Sequence, residues 1–362
     1  LKQKAAESSY VDYGIHGLLG DDTIDRLEEL LDAGVTSFKA FVGNTFGNLP
    51  APTDGALLEG FEKLAPLGVR TVVHAENSSI MARRQHRMEA AGRIDPLAHL
   101  AARPAVAEIE AIGRVLTLAE WTGARVHIAH HSAADSLFVL RAAKQRGVDV
   151  TVETCPQYLL LNTTDMLRLG GILRLNPPIR EERHNQPLWD ALMDGTIDMI
   201  ATDHAPHTPE EKTRESIWQC DCGFPGVETQ MPLMLTEVNR QRATLMDYVK
   251  WSAAAPAKAW GLYGTKGVLA VGAHADVAVV DMDRRAVLSQ GRLQSISKIS
   301  PWNGRTVHGA PIHTLVRGRF VMRDGRLVSE AAGWGQSVKS VQRMPTPKPR
   351  NTEHYSSQIL RT

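Results

Sequence analysis

The chain has 362 residues, with 41 Lys and Arg residues against 40 Asp and Glu residues. This length suffices for one large α/β domain with an attachment or for two ordinary domains. Proteins that bind nucleic acid or anionic membranes typically have an excess of basic residues, so the balanced charge argues against both classes. No apolar run approaches the roughly 20 residues that a membrane span needs, and three cysteines are too few for a disulfide framework, so we expect a soluble cytoplasmic protein with a small-molecule partner.

Between residue 35 and about residue 205, short β-branched runs alternate with longer stretches in which apolar residues recur at three- and four-residue intervals. This alternation predicts parallel strands joined by helices, and the number of units favours a (β/α)8 barrel of the TIM type over an open sheet. The helical stretches are 54–67, 104–122 and 134–146. The strand runs are VTSFKAFVG (35–43), VRTVVHAEN (69–77), ARVHIAHHS (124–132), VDVTVETCP (148–156) and TIDMIATDHAPH (196–207).

The character of the sequence changes after a helical region at 230–263. The segments KGVLAVGAHADVAVVDMD (266–283) and IHTLVRGRFVMRDGRLV (312–328) combine short strands with Gly and Asp-Gly turns, which predicts a small β module. The end of the chain is polar and contains several prolines, as expected of an extended arm that could reach a neighbouring subunit. We therefore predict a barrel over 1–264, a β module over 265–330 and an arm over 331–362.

Lys39 lies in the apolar run TSFKAFVG, which is predicted to be a buried strand. Lysine is seldom fully buried unless its charge is paired, so its side chain either reaches solvent or has a chemical role. A buried amine has a lowered pKa, is nucleophilic when neutral and can react with carbon dioxide. The resulting carbamate is an anionic oxygen ligand that can bridge two cations.

Three further polar residues, His74, His130 and Asp203, follow the apolar parts of three of the predicted strands. One histidine at a strand end is more often structural than a metal ligand. In a barrel, however, these strand ends and the strand of Lys39 meet at the rim where active sites are built. Imidazole and carboxylate groups suit zinc, so the set predicts a metal centre.

Seven motifs in this order resemble those of the cyclic amidohydrolases, the group of dihydroorotase, allantoinase, hydantoinase and dihydropyrimidinase. The resemblance spans residues from about 10 to 330 and implies a TIM-type barrel with a C-terminal β module. It also implies metal-dependent hydrolysis of a cyclic amide or imide C–N bond by a homodimer or homotetramer. The motifs are SFKAFVG, VVHAEN, HIAHHSAA, VETCPQYL, LRLNPPIR, ATDHAPHTPEEK and GFPGVET.

The resemblance assigns roles to the four rim residues. Lys39 would be the carboxylated lysine that bridges two divalent metals, with zinc as the best candidate and manganese or cobalt as alternatives. His74 and His130 would bind the more exposed metal. Asp203 would bind the more buried metal and act as the catalytic base, taking a proton from the attacking hydroxide and delivering it to the leaving nitrogen.

The same motifs suggest a substrate. They look most like dihydroorotases and the allantoinases close to them, and in dihydroorotases the position of His207 helps to bind the substrate carboxylate. Asn176 and the loop around Pro225 would bind the ring amide. Hydantoinases and dihydropyrimidinases usually have a tyrosine that contacts the reacting imide where this chain has Asn44. Asn44 is thus a predicted substrate contact, and the absence of the tyrosine weakens those two alternatives. The alternative for His207 is a structural role, as a loop histidine bonded to nearby backbone.

One departure from the family pattern concerns the buried metal. The family holds it with an H-x-H pair on the first barrel strand, but no H-x-H occurs in the 362 residues and only 38 residues precede Lys39. His16 cannot supply two ligands by itself. We expect that the chain is a truncated form whose first strands lie upstream of Leu1. The alternative is a non-catalytic scaffold protein with the amidohydrolase fold.

Overall fold

The computed structural model describes residues 2–43 and 51–338, which contain two β-sheets. The strands are β1 (His16–Leu18), β2 (Ser37–Phe41), β3 (Arg70–His74), β4 (Arg125–Ile128), β5 (Val150–Thr154), β6 (Met199–Ile200), β7 (Val277–Val287), β8 (Thr306–Val316), β9 (Arg319–Arg323) and β10 (Arg326–Leu327). Strands β1 to β6 form one sheet in chain order. Every neighbouring pair in it is parallel.

Helices connect successive strands of this sheet, because a parallel pair cannot be joined by a tight turn. Helix α3 follows β2, α6 precedes β4, α7 precedes β5 and α10 precedes β6. The helices are α1 (Lys2–Ser8), α2 (Leu27–Asp32), α3 (Asp54–Leu64), α4 (Ser78–Ala90), α5 (Pro96–Ala102), α6 (Ala105–Thr122), α7 (Leu137–Gln145), α8 (Pro156–Leu160), α9 (Thr163–Leu169), α10 (Asn185–Asp194), α11 (Pro209–Lys212), α12 (Gln230–Asn239), α13 (Leu245–Val249) and α14 (Ala255–Ala259).

Local sequence explains where these elements begin and end. The Thr53 side chain accepts a hydrogen bond from the Ala56 backbone amide and so caps α3. Helix α6 buries a stripe that includes Ile112 and Val115, and it ends at Gly123, whose φ of 72° favours glycine. All five residues of β3 are buried, as expected of a parallel strand covered on both faces.

The predicted β module is confirmed as a second sheet, in which β7 to β10 form an antiparallel sheet with order β10-β9-β8-β7. Helix α12 packs against β8 and joins this sheet to the rest of the fold. The domain boundaries at 264/265 and 330/331 stay predictions. Most of the predicted C-terminal arm, from residue 339 onward, lies outside the described residues. No helix within 2–43 and 51–338 has the length and apolarity needed to cross a bilayer.

Candidate active site

Four of the predicted site residues meet at one edge of the parallel sheet. Lys39 lies on β2 and His74 ends β3, while His130 and Asp203 follow β4 and β6. Because the strands are parallel, their carboxyl ends share that edge. All four side chains line one cavity of about 350 Å³.

The same cavity receives two of the predicted substrate-binding residues. Asn176 and His207 both line it, together with Cys222 and Gly223 of the loop that precedes α12. Pro225 is buried and is not among the lining residues. Asn44, the fourth predicted substrate contact, lies outside the described residues.

The His74 and His130 rings are arranged as metal ligands would be. The Nε2 atom of His74 lies 3.0 Å from the Glu76 carboxylate, which can only accept a hydrogen bond when ionised. His74 therefore donates through Nε2, and its Nδ1 atom carries the lone pair. This Nδ1 atom lies 3.0 Å from Nε2 of His130. Two ring nitrogens from neighbouring strands thus face a common point, with a carboxylate holding one ring in place, as at zinc sites.

The charge state of both rings also suits a cation. Burial lowers the pKa of His74 and lowers that of His130 well below its ordinary value, because the interior disfavours an imidazolium. Neutral imidazole is the form that binds metals. The Asp203 carboxylate lies further away, since the ligand atoms of His74, His130 and Asp203 do not all fall within 4.8 Å of one another.

Glu76 is fully buried and was not predicted from the sequence. Besides holding His74, it forms an ion pair with Arg103, whose side chain is 12% exposed. The arginine supplies the positive charge that a carboxylate needs in an apolar interior. The signal in the sequence was the position of Glu76 two residues after His74, within the VVHAEN motif.

A second buried carboxylate, that of Glu108 on α6, fixes the turn that follows His130. It accepts hydrogen bonds from the backbone amide of Ser132 at 2.8 Å and from its hydroxyl at 2.6 Å. Arg180 pairs with it at 3.0 Å, and Nδ1 of His131 lies 3.2 Å away. Glu108 lies in the first turn of α6, where acidic residues are common, so no sequence pattern indicates this role.

His130 and Asp203 both have left-handed backbone conformations. Their φ angles are 39° and 49°, which side chains other than glycine rarely adopt. Such strained residues cluster at functional sites, where the surrounding structure holds them.

Lys39 has no ion pair within 4.0 Å in the part of the chain that the structure describes. Lys39 lines both the site cavity and a neighbouring cavity of about 370 Å³. Burial lowers the pKa of Lys39, although the charges of Glu153 and Asp203 act in the opposite direction. The lysine therefore does not snorkel to the outer surface, and its amine is more easily neutralised than an ordinary lysine.

Burial likewise raises the pKa of Asp203 to about 6, with Lys39 lowering it and Glu153 raising it further. His207 has a different environment. Its Nε2 atom lies 3.1 Å from the backbone carbonyl oxygen of Cys222, and its Nδ1 atom lies 3.4 Å from the Glu211 carboxylate and 3.9 Å from that of Asp221.

The chain is similar to known proteins over most of its length. Residues 25–321 match the model of the amidohydrolase family. The chain is 36% identical to an L-hydantoinase of Paenarthrobacter aurescens over 341 residues, which cover 93% of this chain and 74% of that protein. It is 37% identical to an allantoinase of Rubrobacter xylanophilus over 336 residues, which cover 92% of this chain and 74% of that protein.

Solved structures give the same result for the fold. The L-hydantoinase (dihydropyrimidinase) from Arthrobacter aurescens superposes with a TM-score of 0.91 at 35% identity, covering 93% of this chain and 76% of that one. A D-hydantoinase (dihydropyrimidinase) from Thermus sp. gives a TM-score of 0.88 at 32% identity, covering 93% of this chain and 75% of that one. The predicted TIM-type barrel fold is thereby confirmed. The chain belongs to the amidohydrolase family, within its cyclic amidohydrolase group.

Proposed function

We propose that this protein hydrolyses a ring C–N bond of a five-membered cyclic imide of the hydantoin type. The observation that carries the proposal is the convergence of Lys39, His74, His130 and Asp203 on one cavity. The relatives support it, because a hydantoinase and an allantoinase match the chain at similar identity. Hydantoin and allantoin share this ring. The ring, and not any group attached to it, is therefore the substrate feature that we assign.

The cofactors in this proposal are two divalent metal ions, with zinc as the first candidate. His74 and His130 would hold one ion through the two facing ring nitrogens. Lys39, as a carbamate, would contribute to both ions, and Asp203 would contribute to the second. Bound metal ions would lower the pKa of water and polarise the imide carbonyl. The sequence contains no H-x-H pair, so these four residues are the ligands that this chain is proposed to supply.

Lys39 suits carbamate formation because its amine faces the cavity and its pKa is lowered by burial. In that reaction the amine nitrogen bonds to the carbon of carbon dioxide and loses one proton to solvent. The product is an anion, which reverses the sign of the charge at this position. Three imidazole and carboxylate side chains would then face an anionic oxygen ligand instead of a cation.

Asp203 is the group that moves the proton. Its carboxylate would accept a proton from the attacking water as the new C–O bond forms, and deliver it to the ring nitrogen as the C–N bond breaks. A pKa of about 6 places Asp203 near neutrality, where a general base is effective and its conjugate acid can still donate. The position of Asp203 in the cavity wall, together with Lys39, His74 and His130, supports the assignment of both steps to this residue.

The surroundings of His207 favour a neutral ring over a substrate that carries a carboxylate. The carboxylates of Glu211 and Asp221 already face its Nδ1 atom, and a third carboxylate would be repelled by them. The dihydroorotase preference drawn from the motifs therefore ranks second here. That preference stays a prediction, which the same assay decides.

The test is hydrolysis of hydantoin, allantoin, dihydrouracil and dihydroorotate by the protein loaded with zinc, with kcat/KM measured for each. We expect the highest values for hydantoin or allantoin, and loss of activity after treatment with a chelator. Elemental analysis of the same sample measures the metal content. A protein that binds no metal and hydrolyses none of the four would instead support the scaffold alternative.

A further inference from the structure

Lys212, the last residue of α11, is completely buried. A lysine in such a position normally has an acidic partner. Within 2–43 and 51–338, however, no carboxylate lies within 4.0 Å of its Nζ atom. Burial lowers the pKa of Lys212 to about 8. The fold therefore keeps a costly cation, or a neutral amine, inside the protein next to the candidate active site.

The partners of Lys212 are two backbone carbonyl groups from separate loops. Its Nζ atom donates a hydrogen bond to the carbonyl oxygen of Arg174 at 2.8 Å and another to that of Asp221 at 2.6 Å. The Arg174 carbonyl also accepts a hydrogen bond from the Gly223 amide at 2.8 Å. One amine thus ties the loop at 174 to the loop at 221.

Both loops lead directly into the wall of the cavity. Asn176 comes two residues after Arg174, and Cys222 follows Asp221; both line the cavity together with Gly223. A trans peptide places its N–H opposite its C=O. When the Asp221 carbonyl points at Lys212, the Cys222 amide must therefore point away from Lys212. The amine fixes the orientation of the peptide groups at this wall as well as the distance between the loops.

We propose that Lys212 is a positioning residue that holds the Asn176 and Cys222–Gly223 segments together as the wall against which the ring of the substrate is bound. This inference rests on the proposed function for the identity of the substrate, but the ordering of the two loops does not depend on it. Lys212 does not line the cavity and has no part in the chemistry itself. Its loss should therefore weaken binding much more than turnover.

The test compares Lys212→Met with Lys144→Met, a control for the loss of a lysine elsewhere in the fold that pairs with Asp198. Methionine has a similar length but donates no hydrogen bond. Lys144 also donates to a backbone carbonyl, that of Gly195 at 3.1 Å, but it lies on α7 away from the cavity. Hydrogen exchange, followed by mass spectrometry, reports on the loops without substrate. Steady-state kinetics with hydantoin report on binding and turnover.

We expect Lys212→Met to increase exchange in peptides that cover 171–178 and 219–224, with little change elsewhere. KM should rise by about tenfold, the size expected for loss of roughly one hydrogen bond to the ring. The kcat value should change by less than about threefold, because contacts made equally in the ground state and the transition state affect KM alone. Lys144→Met should change neither the exchange of these peptides nor KM.

Unchanged exchange in both loops would overturn the proposal, as would a fall in kcat at constant KM. A uniform rise in exchange over the whole chain would also overturn it, since that indicates a general loss of stability. If Lys212→Met does not fold, Lys212→Arg replaces it: the larger planar group should displace both carbonyls, and wild-type exchange and KM would refute the role. If the wild type hydrolyses none of the cyclic amides, the proposed function fails, and exchange alone decides whether Lys212 orders the loops.

Discussion

Replacing Glu76 by glutamine should weaken metal binding although Glu76 is not itself a proposed ligand. The carboxylate accepts a hydrogen bond from Nε2 of His74, which orients the ring and leaves Nδ1 directed at His130. Glutamine has nearly the same shape and can still accept one hydrogen bond. It loses the negative charge that makes the imidazole a stronger donor to a metal, and its amide group would face Arg103.

The size of the effect follows from these contacts. Removing the partner that orients a ligand histidine typically costs about 10- to 100-fold in metal affinity, or about 1.4–2.8 kcal/mol. The metal-free protein should also lose stability, because Arg103 would keep its charge without the buried carboxylate. Breaking a buried ion pair costs about 3–5 kcal/mol, and we expect the lower end since the Arg103 side chain is 12% exposed.

Zinc affinity can be measured by competition with a chromophoric chelator, and stability by urea unfolding of the metal-free protein. Glu237→Gln is the matched control, because the Glu237 side chain is only 3% exposed and pairs with Arg240 and Arg242 rather than with a site histidine. The control should lose stability and keep its zinc affinity. A Glu76→Gln protein with the zinc affinity of the wild type would refute the argument that this carboxylate orients His74 for a metal.

Three further outcomes are expected. Lys39→Ala should lose the bridging ligand and most of the bound metal, and added short carboxylic acids should restore part of the activity. An alanine variant that keeps two metal ions and full turnover would exclude the carbamate. Asp203→Asn should lower kcat by about 10²- to 10⁴-fold, as for loss of a general base, and unchanged kcat would show that the proton takes another route. Burial alone would raise the pKa of Glu108, but hydrogen bonds from His131 and Ser132 and the charge of Arg180 hold it well below its ordinary value of 4.5. The contribution of Glu108 to stability should thus be complete above pH 4.5 and fall at lower pH as the carboxylate is protonated. The difference in unfolding free energy between the wild type and Glu108→Gln should therefore shrink below pH 4.5. A difference that stayed constant with pH would contradict this reasoning.

The strand positions could be predicted because they depend on short-range patterns. The runs at 35–43, 69–77 and 124–132 contain β2, β3 and β4. A run of β-branched residues that is bounded by Gly, Asn or Ser is typical of a buried parallel strand. The positions of His74 and His130 at the ends of those strands followed from the same pattern. Parallel strands bring their carboxyl ends together, so proximity in space could be inferred from position in the strand.

The supporting residues could not be predicted in this way. Glu108 reaches the turn after His130 from the first turn of α6, a contact between residues that are 24 positions apart. Lys212 reaches Arg174 over 38 positions. Lys212 ends the ATDHAPHTPEEK motif, but neither contact follows from a periodicity, because each depends on how a helix packs against a loop. The prediction for Pro225 has a similar difficulty: its loop borders the cavity, but only the packed structure shows that Gly223 rather than Pro225 faces it.

The left-handed conformations of His130 and Asp203 have a consequence for the evolution of this site. Glycine would adopt the same φ angles without strain, so replacing either residue by glycine should relieve about 1 kcal/mol or more of local backbone strain, at the cost of the functional side chain. Selection for stability alone would therefore favour glycine at these positions. Their retention in strained form means that the chain trades stability for chemistry at these two points, and an engineered, more stable version should leave both residues untouched.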